Sequence, residues 1–305
     1  MNKNYEYVPF IITDYVSEES LKYKCDGLII NSKLYSTFND VTFSLYEILP
    51  IVKKIKESKK KVFINVNRII PENEIDNFKK IVLQVIDSCD YLIYSDLAVL
   101  SIIPDNLHNK LIYDSKTLIC NKEELDTMET KTFISQSLSF SEIKEIKSEK
   151  KYCLDVFGYL EMMYSRRPLL SLVMPRGKVK TNTLYSLKEE TRTESYKIYE
   201  TKRQKNNYGT FIYNEGIYCL LKELKDIKDN VFLIRINSMF LTNITEKIVN
   251  VYSKYLNELS KDTLDNYKEE FLYAKINSIL ENCHLKLTRG FLDQESVLLK
   301  VNNDD

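Results

Sequence analysis

At 305 residues and 44% hydrophobic content, the chain is long enough to bury one large α/β core or two ordinary domains. Forty-four basic residues balance forty-four acidic ones, which argues against a dedicated polyanion binder. No apolar run approaches the roughly 20 residues of a membrane helix, and the start MNKNYEYVPF lacks a secretory pattern, so a cytoplasmic protein without a membrane partner is expected.

Short apolar runs at 8–12, 28–31, 62–67, 91–94, 111–113, 132–134, 153–157 and 231–236 read as strands covered on both faces. Between them the 3.6-residue period predicts helices at 17–24, 44–57, 72–87, 96–102, 122–129, 141–147 and 215–225. Ser17 before Glu18 and Glu19, Pro71 before Glu72, and Ser141 before Glu142 supply start signals. Eight strands alternating with helices favour an α/β fold of the (β/α)8 TIM type, with an open doubly wound sheet as the structural alternative. The connection after the seventh strand, 159–213, is far too long for an ordinary βα loop and predicts an inserted lobe over the carboxyl mouth, with a small β-hairpin or β-lobe around 196–213. From Thr245 the pattern is helical, with a second long helix near 265–282 and a frayed tail at 302–305.

Several chemistries can be set aside. The six glycines are too dispersed for a phosphate-cradling loop, and His108 and His284 cannot build a metal site or serve a triad persuasively. The six cysteines show no Cys-x-x-Cys pair and read as free, mostly buried thiols. Strand ends place Asn31, Ser32, Asn65, Asn67, Ser95, Asp96, Asp114, Ser115, Ser135, Gln136, Asn237 and Ser238 at one mouth, where they either meet a polar ligand or cap the following helices. Arg167 and Arg235 lie near strand ends, where a guanidinium can hold a carboxylate or phosphate in a fork; Arg235 could equally serve a structural ion pair, and Arg167 a buried pair that orders the insertion. Residues 166–205 carry eleven basic and four acidic side chains, so this segment is +7 and the rest −7. That charge fits either a local anionic partner or a solvated basic loop.

The run LDVFGYLEMMYSRRPLLSLV at 154–173 resembles the signature of the peptidase U32, or collagenase-like peptidase, family, through Gly158, Tyr164, Ser165, Arg167, Leu169, Leu170 and Ser171. Further blocks, VFINVNRIIPENEIDNFKKIVLQVIDSCDYLIYSDLAVL, FISQSLSFSEIKEI, YSLKEETRTESYKIYE followed by YGTFIYNEGIYCLLKEL, and LTRGFLDQES, are similar to the family in the same order. The resemblance implies a single barrel domain over 1–305 with the lobe as its insertion. Cluster-binding relatives have cysteines where this chain has Glu161 and Pro168, so the resemblance implies no iron–sulfur cofactor here. Arg235 and Asn237 stand where other members have lysine and glutamate. The chain ends soon after the barrel and so resembles the short-form members. Those imply a subunit in prephenate-dependent hydroxylation of the tRNA wobble uridine, with tRNA and a longer U32 paralogue as partners. A U32 peptidase and a non-catalytic partner of that paralogue stay open as alternatives. The expected ligand site is Arg167 with Tyr164, Ser165, Asn67 and Asp96, joined by Arg235; catalytic residues are not assigned and no metal is expected.

Overall fold

The computed structural model describes residues 6–174, 178–188, 195–204 and 207–294. Seven strands come first: β1 (Phe10–Asp14), β2 (Gly27–Asn31), β3 (Lys61–Val66), β4 (Tyr91–Tyr94), β5 (Leu111–Asp114), β6 (Lys131–Phe133) and β7 (Tyr152–Gly158). The connections between them carry α1 (Leu45–Glu57), α2 (Ile75–Val85), α3 (Ala98–Ile102), α4 (Lys122–Thr127) and α5 (Phe140–Glu145), with single 3-10 turns such as Glu18–Lys22 where 17–24 reads as helical. Beyond β7 lies the lobe, with β8 (Glu161–Ser165), α6 (Leu169–Val173), β9 (Thr183–Lys188), β10 (Ser195–Gln204) and β11 (Asn207–Asn214). The chain then returns through β12 (Ile217–Cys219), α7 (Leu224–Ile227) and β13 (Val231–Ile236), and ends in α8 (Thr245–Ser260), α9 (Asn266–Glu281) and β14 (Leu287–Thr288).

Strands β1 to β7 pair in parallel in sequence order, and β13 pairs in parallel with both β7 and β1, closing an eight-stranded barrel. This is the (β/α)8 architecture that the alternating pattern predicts. The helices attach for reasons visible in their sequences. In α1 the stripe Ile48, Ile51, Val52 and Ile55 is buried, and the Glu47 carboxylate accepts from the Ser44 backbone at 2.8 Å to close a capping box. Asp265 caps α9 by accepting from Lys268 N at 2.8 Å.

Two further sequence expectations change. The helix expected at 215–225 is instead β12 followed by the single turn of α7. Ile217, Tyr218 and Cys219 are all buried because β12 is sandwiched between β7, which it meets antiparallel, and β14. An apolar run buried on two sides looks alike in either state, and pairing decides it. The first turn of α5 is capped by Ser139, not Ser141: Ser139 N donates to Glu142 at 2.8 Å, and Ser141 lies inside the helix. The hairpin near 196–213 is part of a four-stranded antiparallel sheet of order β8-β11-β10-β9. The tail at 302–305 falls outside the described residues.

The barrel interior is layered. Ile12, Ile29, Phe63, Ile93, Ile112, Phe133, Cys153 and Leu233, one from each strand, form an apolar plug. Two positions further along each strand, on the same face by the alternation of β structure, stand Asp14, Asn31, Asn65, Ser95, Asp114, Ser135, Asp155 and Arg235. The chain thus swaps an oily layer for a polar one within a single step toward the carboxyl ends.

Candidate functional site

That polar layer is wired by hydrogen bonds. Arg235 spans the mouth: Nε and Nη2 donate to the two carboxylate oxygens of Asp155 at 2.5 and 2.8 Å, and Nη1 donates to Asp114 Oδ2 at 2.9 Å. Its guanidinium also lies over the Phe133 ring, 4.1 Å from the centroid. Burial alone would lower the Arg235 pKa, but the two aspartates raise it well above its ordinary value. Burial likewise acts to raise the Asp114 carboxyl, yet Arg235 and Lys116 beside it hold it well below the usual carboxylate range. On the other side of the barrel an amide ladder runs from Asn65 Nδ2 to Asn31 Oδ1, and from Asn31 Nδ2 to Asp14 Oδ1, each 2.8 Å. Ser238 donates to Asp14 through backbone and hydroxyl at 2.9 and 3.0 Å. Burial pushes the Asp14 carboxyl up against these hydrogen bonds.

The lobe roofs this layer through an aromatic seam. Tyr159, Tyr199 and Tyr213 all pack against Phe240 in the loop after β13. Asn39 donates to the Tyr213 hydroxyl at 3.0 Å, and its carbonyl accepts from Tyr199 at 3.2 Å. Under the roof is a small cavity of about 20 Å³ lined by Asn65, Gln136, Glu161, Arg235 and Asn237 among others, with room for little more than one water. Outside it opens a cleft of about 400 Å³. The cleft floor is polar, with Asn67, Ser95, Asp114, Ser115 and Lys116; Ile69, Leu118, Met162, Met163 and Tyr164 form its walls. Lys116 and Glu161 line both spaces.

Two buried acceptors in this region, Asp114 Oδ1 and Gln136 Oε1, have no hydrogen-bonding partner among the described residues. Groups left so cost free energy unless something donates to them, which marks the mouth as a place built to meet a donor. Lys116 Nζ lies 3.5 Å from Asp114 Oδ2. Glu161, at the start of β8, hangs from the lobe with no hydrogen-bonding partner among the described residues. Its carboxyl is pushed up first by burial, with Lys116 and Arg235 opposing and Asp114 and Asp155 reinforcing. A raised folded-state pKa means that stability is held in full below the unfolded value of about 4.3 and is lost as pH rises through the folded one. Glu161→Gln, with no proton to lose, should therefore gain on the wild type in melting temperature as pH rises above about 4.3 toward neutrality. A constant gap across that range would show that Glu161 ionises freely.

The expected site residues fall into three places. Asn67 lies on the cleft floor, accepting from Thr37 N at 2.9 Å and donating to Asp114 Oδ2 at 2.9 Å, and Tyr164 stands on the wall. Arg235 is in the buried layer, with its fork engaged by Asp155 and Asp114. Ser165 and Arg167 stand at the outer end of β8, with Arg167 exposed and outside both spaces. Asp96 accepts from Ile70 N at 2.7 Å and Ala98 N at 3.0 Å, so its carboxylate ties the loop after β3 to the start of α3. Asp14, Asp155 and Lys116 were not singled out from the sequence. The signal for the two aspartates was present, since each lies two residues beyond an interior apolar position. Lys116 belongs to a loop, with a left-handed φ of 62°, and had no such mark.

A four-thiolate iron–sulfur centre does not fit these residues. Cys153 lies in the apolar plug, Cys219 sits 3.5 Å from the Tyr252 hydroxyl, and the Cys25, Cys89 and Cys219 thiols are each pushed up to about 12 by burial. Among the described residues no three histidine, cysteine, aspartate or glutamate side chains converge to hold a metal ion. No described helix is long and apolar enough to cross a membrane.

None of the functionally curated proteins matches the chain in sequence. Among solved structures it is similar to a U32 peptidase, at 11% identity over 50% of this chain and 70% of that one, with a TM-score of 0.43. It is also similar to thiamine phosphate pyrophosphorylase from Pyrococcus furiosus, at 10% identity over 85% and 98% of the two chains and a TM-score of 0.40. Tryptophan synthase from M. tuberculosis is 11% identical over 84% and 94%, with a TM-score of 0.41. The profile of peptidase family U32 matches residues 18–298, nearly the whole chain, and the protein belongs to that family.

Proposed function

We propose that this U32 barrel is the non-cluster subunit of a prephenate-dependent system that hydroxylates the wobble uridine of tRNA, acting beside a longer U32 paralogue. The observation that carries the reading is the cleft, whose polar floor and apolar walls suit one flat molecule with a polar edge. Unpaired bases of RNA loops are recognised in this way, by packing on a side chain such as Tyr164 and by hydrogen bonds to their edges. Lys116 offers a donor to a base carbonyl or to a carboxylate of the co-substrate, while Asp114 Oδ1 is an acceptor awaiting a donor among the described residues. Arg235 has a supporting part, since its fork already serves Asp114 and Asp155.

Nucleoside mass spectrometry of tRNA from a deletion strain grown without oxygen, which removes any oxygen-dependent route, tests this. The hydroxylated uridine should vanish, return with the wild-type gene, and stay reduced by at least about tenfold with Lys116→Met, the scale for losing one charged hydrogen bond. An unchanged level in the deletion strain would sink the proposal. Cleavage of gelatin by the purified chain would move it to the peptidase reading, and co-purification with the paralogue without any change in tRNA to that of a non-catalytic partner.

A further inference from the structure

The wall of the cleft does not stop at the cleft. Strand β8 carries Glu161, Met162, Met163 and Tyr164 past the mouth, and Ser165 makes its last pairing, with Thr210 of β11. The chain then turns outward through Arg166 and Arg167 into α6. There Leu172, Val173 and Met174 are 69%, 83% and 43% exposed, an aliphatic tip with nothing packed over it among the described residues. This tongue is held firmly. Thr210 Oγ1 donates to the Arg167 carbonyl at 2.7 Å and accepts from Leu169 N at 2.9 Å. Glu200, fully buried in β10, accepts from Ser171 N at 3.0 Å and from its hydroxyl. A carboxylate taken wholly out of water to fix a five-residue turn keeps the aliphatic tip out in solvent, where its exposure is otherwise unfavourable.

Charge says what the tip meets. No acidic residue occurs between Glu161 and Glu189, while Arg166 and Arg167 at the start of the tongue, and Lys178 and Lys180 after it in the sequence, are exposed. An apolar wedge flanked by cations, continuous with the wall of a pocket sized for one base, has the parts required to extrude a nucleotide. The cations hold the phosphates, the wedge fills the gap in the stack, and the pocket receives the base. We infer that the tongue at Leu169–Val173 with Met174 is an RNA wedge: Leu172 and Val173 replace the displaced base in the loop while Arg166 and Arg167 grip the backbone beside it. This rests on the tRNA reading above and adds how the base reaches the cleft.

The test uses an anticodon stem-loop RNA with 2-aminopurine next to the target uridine, titrated with the full chain. The wild type should bind and raise the 2-aminopurine fluorescence several-fold as the neighbour unstacks. Leu172→Asp/Val173→Asp, both at exposed positions, should still bind within about threefold but lose most of the rise, and Arg166→Glu/Arg167→Glu should weaken binding by about tenfold or more and flatten its salt dependence. Circular dichroism melts of each variant check that the lobe is intact. If the wild type binds and Leu172→Asp/Val173→Asp gives the full fluorescence rise, the wedge is wrong and the tRNA reading stands. If the wild type does not bind the RNA, the tRNA reading fails and the wedge with it. If the tip substitutions abolish binding to phosphatidylglycerol vesicles without altering the RNA signal, the tongue is a lipid contact and the inference is overturned.

Discussion

Arg235→Met is expected to destabilise the barrel by roughly 3–5 kcal/mol, the usual scale for removing one partner of a buried ion pair. The side chain it replaces is buried and holds Asp155 in a two-bond fork and Asp114 by a third bond. Methionine fills similar volume, so the loss comes from two carboxylates stranded in the layer rather than from a void. Denaturant unfolding would measure it, and the triple change Arg235→Met, Asp114→Asn, Asp155→Asn should recover much of the loss because the stranded charges go too. The pH dependence reverses sign. In the wild type the Asp114 carboxyl is depressed, so its contribution is present above the unfolded value of about 3.9 and is lost as pH falls. In Arg235→Met the carboxylates lack that guanidinium, protonation relieves them, and the deficit should shrink as pH falls. A deficit that grows in acid would mean the ion network does not set the stability of the mouth.

Gly158→Ala should be nearly as damaging, at roughly 2–5 kcal/mol from backbone strain plus overpacking. Gly158 ends β7 with a φ of +129°, a region that L side chains rarely adopt, and an added Cβ would lie 2.8 Å from the Asn237 carbonyl oxygen and 2.9 Å from its Cβ. Asn237 follows β13, the strand that closes the barrel, so neither partner can retreat without disturbing the closure or the entry to the lobe. Limited proteolysis of the variant should show cleavage within the lobe well before the barrel helices. A variant that unfolds at the wild-type midpoint would show that the chain leaves β7 in another conformation.

Much of the scaffold was readable because parallel strands covered on both faces leave short, dense apolar runs such as 91–94 and 231–236, and these positions match β4 and β13. The lobe was readable from length alone. Its four-stranded sheet was not, because Thr183–Lys188 is half polar and runs through half-buried Tyr185 and exposed Ser186, as loops also do. For the mouth, strand ends pointed to Asn67 and Arg235, but not to the partners that decide what each does. Arg235 reads equally well as a ligand fork or a structural tie until Asp155, eighty residues away, is placed beside it. Glu161 joins the mouth only in the folded chain, because the groups around it come from β5 and the loop after it, β7 and β13, which the closed barrel brings together.

The two ends of the lobe meet at one point. Asn214 N donates to the Leu160 carbonyl at 3.2 Å, and Leu160 N donates to the Asn214 side-chain carbonyl at 2.8 Å, so the chain leaves and re-enters the barrel through a doubly bonded gate. An insertion whose ends already touch asks little of its host beyond the slowly growing entropy of closing a longer loop. Changes of length in the lobe beyond that gate are therefore expected to leave the barrel's register unaltered. In such a chain the roof over the mouth is free to diversify while the layer beneath stays fixed, and new partners can be gained by altering the lobe alone.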